Sequence, residues 1–399
     1  MNSSVTDTSK QHIFIVGCKG IPTRYGGFET FVDKLTEYQK NNNIQYHVAC
    51  IKDKNLYDSK EAEYEYNGAH CFNIKTRNEG SSKAIFYDVD AINYCIDFIK
   101  KYHIEKPVIY VLACRIGPFI SHFKRKIHRL GGELYVNPDG HEWKRAKWSA
   151  SVRRYWKFSE RLMVKHADLL ICDSKGIEDY IKADYAKYKP NTTFIAYGAE
   201  TSASMLKSDD AKVTEWYDKF NIIPQNYYLI VGRFVPENNF KTMIKEFMKS
   251  DTSKDLVIIT GYEGVSLYDE LKEELCFEKD SRIKFVGTVY DQQHLKKIRE
   301  DAYAYIHGHS VGGTNPSLLE ALARTDLNLL YDVSFNHEVG EEGAVYWSLE
   351  NGSLADLIGQ ADKMSDTEIE KLAQCAKERI DRYYSWEYIR DRYEELFAE

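Results

Sequence analysis

Short apolar runs alternate with longer amphipathic segments from one end of the chain to the other. In the first half the runs are HIFIVG (12–17), YHVACI (46–51), VIYVLA (108–113), ELYVN (133–137), DLLICDS (168–174) and TFIAYG (193–198). In the second half they are YYLIVGR (227–233), DLVIITG (255–261), RIKFVG (282–287), AYAYIHG (302–308) and LNLLYD (327–332). Their length and apolar character predict buried strands. Between them lie helical patterns such as 83–101, where Ile85, Phe86, Val89, Ile92, Tyr94, Cys95 and Ile99 recur at helical intervals. Strands spaced by helices predict an α/β protein with two parallel, doubly wound sheets. The polar stretch from Gly198 to Pro224 separates the two series and reads as a linker zone. In the closing SWEYIRDRYEELFAE, Ser385 is placed to cap a helix with Trp386, Ile389, Tyr393, Leu396 and Phe397 on one face. That stripe must be buried. The expected organisation is a domain over 1–200, a second over 201–378, and a helical segment 379–399 crossing back to the first.

Length and composition agree with two domains: 399 residues, 43% hydrophobic, 14% aromatic. The net charge of -7 excludes a generally basic nucleic-acid coat. It conceals a split, with 31 basic and 24 acidic residues in 1–200 against 23 and 37 in 201–399. The eight cysteines (18, 50, 71, 95, 114, 172, 276, 375) show no CxxC pair and no disulfide framework, so a reduced, cytoplasmic setting is expected and the cysteines read as small core residues. The start of the chain is polar before its first apolar run, the reverse of a signal peptide. No stretch approaches the ~18–20 apolar residues of a spanning helix. Membrane contact is therefore expected to be peripheral.

Four segments carry candidate chemistry. Gly17-Cys-Lys-Gly20-Ile-Pro-Thr-Arg-Tyr-Gly26-Gly27-Phe-Glu follows the first strand and opens a helix, where bare backbone N–H groups and the helix dipole suit an anion. Its spacing is neither GxGxxG nor a Walker loop, which disfavours a nicotinamide cofactor. Gly232-Arg233-Phe-Val-Pro236-Glu237-Asn238-Asn239 places an arginine at a strand's carboxyl end, where such sheets bind ligands and a guanidinium fork suits phosphate. In Ser310-Val-Gly312-Gly313-Thr314-Asn315-Pro316-Ser317-Leu-Leu-Glu320, Thr314 or Asn315 caps a helix whose first N–H groups form a second anion site. Glu320, the polar exception in LLEALA, is placed to accept from a sugar hydroxyl. Val136-Asn137-Pro138-Asp139-Gly140-His141-Glu142 puts a carboxylate and an imidazole on one turn, although such residues often serve only local hydrogen bonding. Asp88-Val-Asp90 spells the DxD of metal-dependent sugar transferases, but i and i+2 leave a helix on different faces, so it reads as solvated surface.

Together these segments resemble GT-B glycosyltransferases of family 4. GIPTRYGGFETFV, NPDGHEWKRAKW, GRFVPENN, GGTNPSLLEALA and Phe335-Asn336-His337-Glu338-Val339 are similar to bacterial rhamnosyltransferases of cell-wall and capsular polysaccharide synthesis. The resemblance implies two Rossmann-like domains facing a central cleft, the first binding acceptor and the second nucleotide sugar. It implies retaining transfer of L-rhamnose from dTDP-β-L-rhamnose to a GlcNAc or glucose unit on a polyprenyl diphosphate, as a β-1,4-rhamnosyltransferase, with no metal. Gly26, Gly27 and Arg233 would face the donor diphosphate, with Glu237 beside them. Glu320 would bind the nucleoside sugar, Asn315 to Ser317 phosphate, and the backbone around Val286–Val289 the base. Asp139 or His141 would orient or deprotonate the acceptor hydroxyl, with Tyr197 a further candidate. Two departures stand out: Asn238 occupies the place of a usual Lys, and Gly312 that of a usual Glu. Other readings are a family 4 transferase using a UDP-hexose, a GT-B sugar-nucleotide epimerase, and an exported sugar-binding protein. Residues 115–165 hold 13 Lys and Arg against four acidic residues, interleaved with Trp143, Trp148, Tyr155, Trp156 and Phe158. Lys124, Arg125, Lys144, Arg145, Trp148, Arg153 and Arg154 are accordingly expected to meet an anionic membrane on its inner face, and no nucleic acid.

Overall fold

The computed structural model describes residues 3–23, 26–52, 61–76, 80, 82–145 and 148–398. Arg24 and Tyr25 of the first glycine segment, and Lys147 of the basic one, lie outside the described residues. The chain divides into two compact units, 1–198 with 386–399, and 199–385.

The first unit is built on β1 (Gln11–Val16), α1 (Gly27–Glu37), β2 (Ile44–Ile51), β3 (Glu63–Tyr66), β4 (Ala69–Ile74), α2 (Lys83–Tyr102), β5 (Val108–Leu112), α3 (Gly117–His128), β6 (Glu133–Asn137), α4 (Ala150–His166), β7 (Leu169–Cys172), α5 (Lys175–Asp184) and β8 (Thr192–Phe194). Its sheet runs β3-β4-β2-β1-β5-β6-β7-β8. β1 pairs parallel with β2 on one side and β5 on the other, Ile13 standing opposite both Tyr46 and Val108. Every residue of β2 and β5 is buried, as a sheet covered on both faces requires.

The expected all-parallel sheet is corrected at one edge, where β3 pairs antiparallel with β4. Asn67 (φ 48°) and Gly68 (φ 72°) make a two-residue turn with both φ positive. The Asn-Gly dipeptide in EYEYNGAHCF is the sequence signal for that hairpin.

The second unit is built on α6 (Ala211–Phe220), β9 (Tyr227–Val231), α7 (Phe240–Lys249), β10 (Asp255–Ile259), α8 (Ser266–Leu275), β11 (Ile283–Gly287), α9 (Gln292–Glu300), β12 (Ala304–His307), α10 (Pro316–Leu322), β13 (Asn328–Tyr331), α11 (Ser334–Gly340), β14 (Val345–Trp347), α12 (Ser353–Ala361) and α13 (Asp366–Tyr384). Its six strands are all parallel, in the order β11-β10-β9-β12-β13-β14. The fold class is α/β with two parallel-sheet Rossmann-like domains.

The linker zone is more ordered than its polarity suggested. Arg324 donates to the carbonyls of Glu200 (2.6 Å) and Ser202 (3.1 Å). Within α6, Val213 and Tyr217 are buried, and the Tyr217 hydroxyl donates to Asp301 (3.1 Å). The cysteine reading is corrected at two positions: Cys276 is exposed and Cys375 half-buried.

The last helix, α14 (Trp386–Ala398), belongs to the first unit. The face of the first sheet that carries Phe14, Val16 and Val111 is covered by α2 to α5. On the other face Tyr393 meets Phe31 of α1 (centroids 5.1 Å) and pairs hydroxyls with Tyr110 (3.1 Å), while Phe397 meets Tyr46 edge-on. Leu396, expected in the stripe, is only half-buried. Buried Glu394 takes part instead, accepting the N–H groups of Lys40 (2.7 Å) and Asn41 (3.0 Å) beyond the end of α1. Glu394→Ala leaves two backbone donors unpaired and is expected to cost about 2–3 kcal/mol. Urea unfolding followed by near-UV circular dichroism checks this, and an unchanged midpoint would remove α14 from the stability of the first unit.

Candidate functional site

In a doubly wound sheet, ligands bind outside the carboxyl ends of the strands where the winding reverses direction. In the first unit that point lies between β1 and β5. The Gly17–Gly27 segment leaves β1 there, and its described residues 17–23 are tethered at five points. Arg115 Nη2 donates to the Gly17 carbonyl (2.9 Å), and the Tyr87 hydroxyl to that of Cys18 (2.8 Å). The Lys19 N–H reaches Glu29 Oε1 (2.8 Å), the Tyr64 hydroxyl donates to the Ile21 carbonyl (2.5 Å), and the Thr23 N–H reaches Asp33 Oδ2 (2.7 Å). A Cβ on Gly17 would lie 2.3 Å from the Leu112 carbonyl oxygen. Gly26, at φ 131°, precedes α1 with no side-chain cap, and Gly27 is exposed beside it. Residues 17–23 thus hold a backbone turn fixed by side chains of α1, α2 and β3 and by Arg115 after β5.

Arg115 also ion-pairs with Asp88 (3.0 Å), and its carbonyl accepts the Tyr155 hydroxyl (2.7 Å). This corrects the reading of Asp88 as solvated surface: it is fully buried, facing inward with Ala91, Ile92 and Cys95 of α2. Burial pushes its carboxyl up to about 6, against the opposing pull of Arg115. Arg115 followed β5 in the sequence without a motif to mark it.

The turn after β6 holds Asp139 (φ 57°) and His141 (φ 48°) in the left-handed region. Asp139 accepts the Gly140 N–H (2.8 Å) and donates its own to Asn137 Oδ1 (2.8 Å), with Arg145 at 3.7 Å. The His141 ring lies 4.2 Å from that of Tyr180. Burial, then the charges of Lys144 and Lys157, lower its pKa to about 4, so at neutral pH it is an uncharged imidazole able to accept a hydrogen bond. Tyr197 lies beneath this turn. It is buried edge-on to Phe31 (5.7 Å), and burial pushes its phenol far above the ordinary range. Its phenol is bonded to the Asn137 side chain, within the turn that carries Asp139 and His141.

In the second unit the winding reverses between β9 and β12, and the loops that follow them are stitched together. Ser310 donates its N–H (2.9 Å) and hydroxyl (2.7 Å) to the Glu237 carbonyl, and the Asn239 amide donates to that of Gly308 (2.8 Å). Asn238 donates to the Arg233 carbonyl (2.8 Å) and accepts from His309 Nδ1 (2.8 Å). The amide donor bond fixes which atom accepts, so His309 carries its proton on Nδ1. Arg233 itself is exposed, with no ion-pair partner among the described residues. Asn315 caps α10, accepting from Ser317 (2.9 Å) and Leu318 (3.4 Å). Pro316 has no N–H, so the expected anion site at this helix start is already filled by the cap. Glu320 is half-buried, one oxygen 2.6 Å from Nη1 of Arg299, a guanidinium only 2% exposed. Arg299 also donates to the Ser317 hydroxyl (3.3 Å). It stood in an ordinary helical pattern, and only its partner reveals it.

Several residues of the basic segment are engaged within the first unit. Lys124 pairs with Asp168 (2.7 Å), Arg145 with Glu142 (2.7 Å), and the Trp148 indole donates to Glu142 (2.8 Å). Lys144 lies over the Trp143 ring. Arg125, Arg153 and Arg154 are exposed.

Residues 10–200 match a family model described as a domain of unknown function, DUF1972. The chain is similar to the O-antigen chain mannosyltransferase RfbU of Salmonella typhimurium, 23% identical over 193 residues, which are 48% of this chain and 50% of that one. It is similar to the uncharacterized glycosyltransferase MJ1069 of Methanocaldococcus jannaschii, 23% identical over 318 residues, 74% of this chain and 75% of that one. The chain thus spans half the length of the first relative. Among solved structures, sucrose-phosphate synthase of Thermosynechococcus elongatus is similar with a TM-score of 0.78, 16% identity and 98% of each chain covered. Anabaena HepE in complex with UDP is similar with a TM-score of 0.68, 12% identity, and 97% and 99% covered. The fold is GT-B.

The raised Asp88 pKa has a thermodynamic consequence. A carboxyl that binds its proton more tightly folded than unfolded contributes stability below pH ~4 that is lost as pH rises through about 6. The loss is on the order of 3 kcal/mol. Denaturant unfolding at stepped pH should show this decline in the parent protein and not in Asp88→Asn. Parallel pH profiles would overturn the assignment.

Proposed function

We propose that the protein is a retaining glycosyltransferase that moves L-rhamnose from dTDP-β-L-rhamnose to a GlcNAc or glucose unit on a polyprenyl diphosphate, forming a β-1,4 linkage. The observation that carries the reading is the loop pair of the second unit. Arg233 stands at the carboxyl end of β9, beside the reversal point, in a loop held by Asn238 and Glu237 to the loop after β12. There its fork meets the diphosphate, while Glu320, set by Arg299, offers its second oxygen to the nucleoside's hydroxyls. The likeness to glycosyltransferases supports transfer, and the named motifs support rhamnose.

In the transfer, the bond from the sugar's C1 to the β-phosphate oxygen breaks and the acceptor oxygen bonds to C1 on the same face. The acceptor's proton passes to the departing phosphate. Charge develops on dTDP, and Arg233 stabilises it most in the transition state without a metal. Asp139 and His141 orient the acceptor hydroxyl, the neutral imidazole accepting its hydrogen bond. The lipid carrier brings this acceptor to the inner face of a membrane.

A donor panel with a synthetic lipid-diphosphate GlcNAc acceptor tests the reading by product mass and linkage. Turnover of dTDP-rhamnose only with acceptor, undiminished by a chelator, is expected. Preference for a UDP-hexose would replace the donor, turnover without acceptor would indicate an epimerase, and no turnover would sink the proposal. Arg233→Ala is expected to lower kcat/KM for the donor by about tenfold to hundredfold, one charged hydrogen bond's worth. Because Arg233 is exposed, its melting temperature should stay unchanged.

A further inference from the structure

The two helices α3 and α4 pack side by side, the Gly117 N–H of one donating to the Ser159 hydroxyl of the other (2.8 Å). Between them they carry eight Lys and Arg, three on α3 and five on α4, and one carboxylate, Glu160. Glu160 is buried, 3% exposed, and accepts from the hydroxyls of Tyr180 and Tyr185 and from Lys157. The outward face therefore has no negative charge of its own. On α4, Arg154, Phe158, Arg161 and Lys165 follow at i, i+4, i+7 and i+11 and are all exposed, which makes one stripe. On α3, Phe119, His122, Arg125 and the following Arg129 are exposed. Phe119 and Phe158 flank the Gly117–Ser159 crossing at 39% and 44% exposure, and the Arg161 guanidinium lies over the Phe158 ring (5.3 Å).

We propose that the outward face of α3 and α4 is a docking surface for an anionic lipid bilayer, with Phe119 and Phe158 entering the headgroup boundary and the arginines pairing with lipid phosphates. Large apolar rings left in water beside unopposed cations match an interface that is apolar on one side and anionic on the other. Of the aromatics the sequence suggested, Phe158 is exposed here, and Phe119 joins it. Trp148 and Tyr155 spend their polar atoms inside the unit, on Glu142 and the Arg115 carbonyl, and Lys124, Arg145 and Lys157 are ion-paired there. The surface takes its purpose from the lipid-linked acceptor and so rests on that reading, but its binding is measured without turnover.

The full chain is sedimented with vesicles of phosphatidylcholine alone and with about 30% phosphatidylglycerol added. Binding to the anionic vesicles alone is expected, weakening as salt rises from about 0.1 to 0.5 M. Each basic residue near the surface contributes about fivefold, so Arg154→Gln with Arg161→Gln should lower partitioning about thirtyfold. Phe119→Ser with Phe158→Ser should leave weaker binding that salt abolishes. All four side chains are exposed, and unchanged far-UV circular dichroism and melting confirm folding. Equal binding to both vesicles, binding indifferent to both double variants, or release from vesicles by duplex RNA bound through the same arginines would each overturn the proposal, the last in favour of a nucleic-acid surface.

Discussion

A guanidinium drawn out of water is held by the partners it finds, and in each unit one such group ties together elements at the carboxyl end of the sheet. The Arg115 guanidinium draws together α2 through Asp88 and the loop after β1 through the Gly17 carbonyl, while its backbone carbonyl takes the Tyr155 hydroxyl of α4. Arg299 draws α9 to the start of α10 through Glu320 and Ser317. Removing either partner strands a buried charge, a loss of about 3–5 kcal/mol where burial is deep. The turn after β1 and the Glu320 carboxylate are thereby each held in one place, and a group held in advance lowers the entropy cost of any binding.

The strands were legible because a parallel sheet buried on both faces writes itself as unbroken apolar runs. The hairpin of β3 and β4 was passed over because EYEY alternates and carries charge, the pattern of a half-exposed edge, although its Asn-Gly turn was readable. Site residues divide along the same line. Arg233 and Glu320 sit in motifs, and the chain announces them. Arg115, Arg299, Asn238 and Tyr64 act through partners 27, 18, 71 and 43 positions away, pairings that no local pattern encodes. The capped start of α10 shows the reverse failure. Asn315 was read both as a cap and as a neighbour of free amides, and the first role consumes the second.

Charge follows the same division between local and paired. The basic excess of residues 1–200 is not spread evenly, because many of its cations neutralise carboxylates of the same unit. What remains uncompensated is concentrated on α3 and α4, where Glu160 points inward. The second unit, acidic in total, leaves Arg233 exposed after β9 with no ion-pair partner among the described residues. A net charge per domain says little about either surface; which charges are already spent says much more.

The place of α14 bears on how the molecule comes into being. Ile13, Ile15, Tyr46, Val48 and Tyr110 are buried in the finished unit, and Tyr46 and Tyr110 do so against a helix that begins at Trp386. At ~5–20 residues per second on the ribosome, the 187 residues of the intervening unit take roughly 10–40 s to emerge. Throughout that interval the nascent first unit has one side of its sheet only part-covered by α1, while the second, encoded later, has everything it needs. The order of synthesis and the order of completion are inverted, and that side of the first sheet stays part-open until α14 has been made.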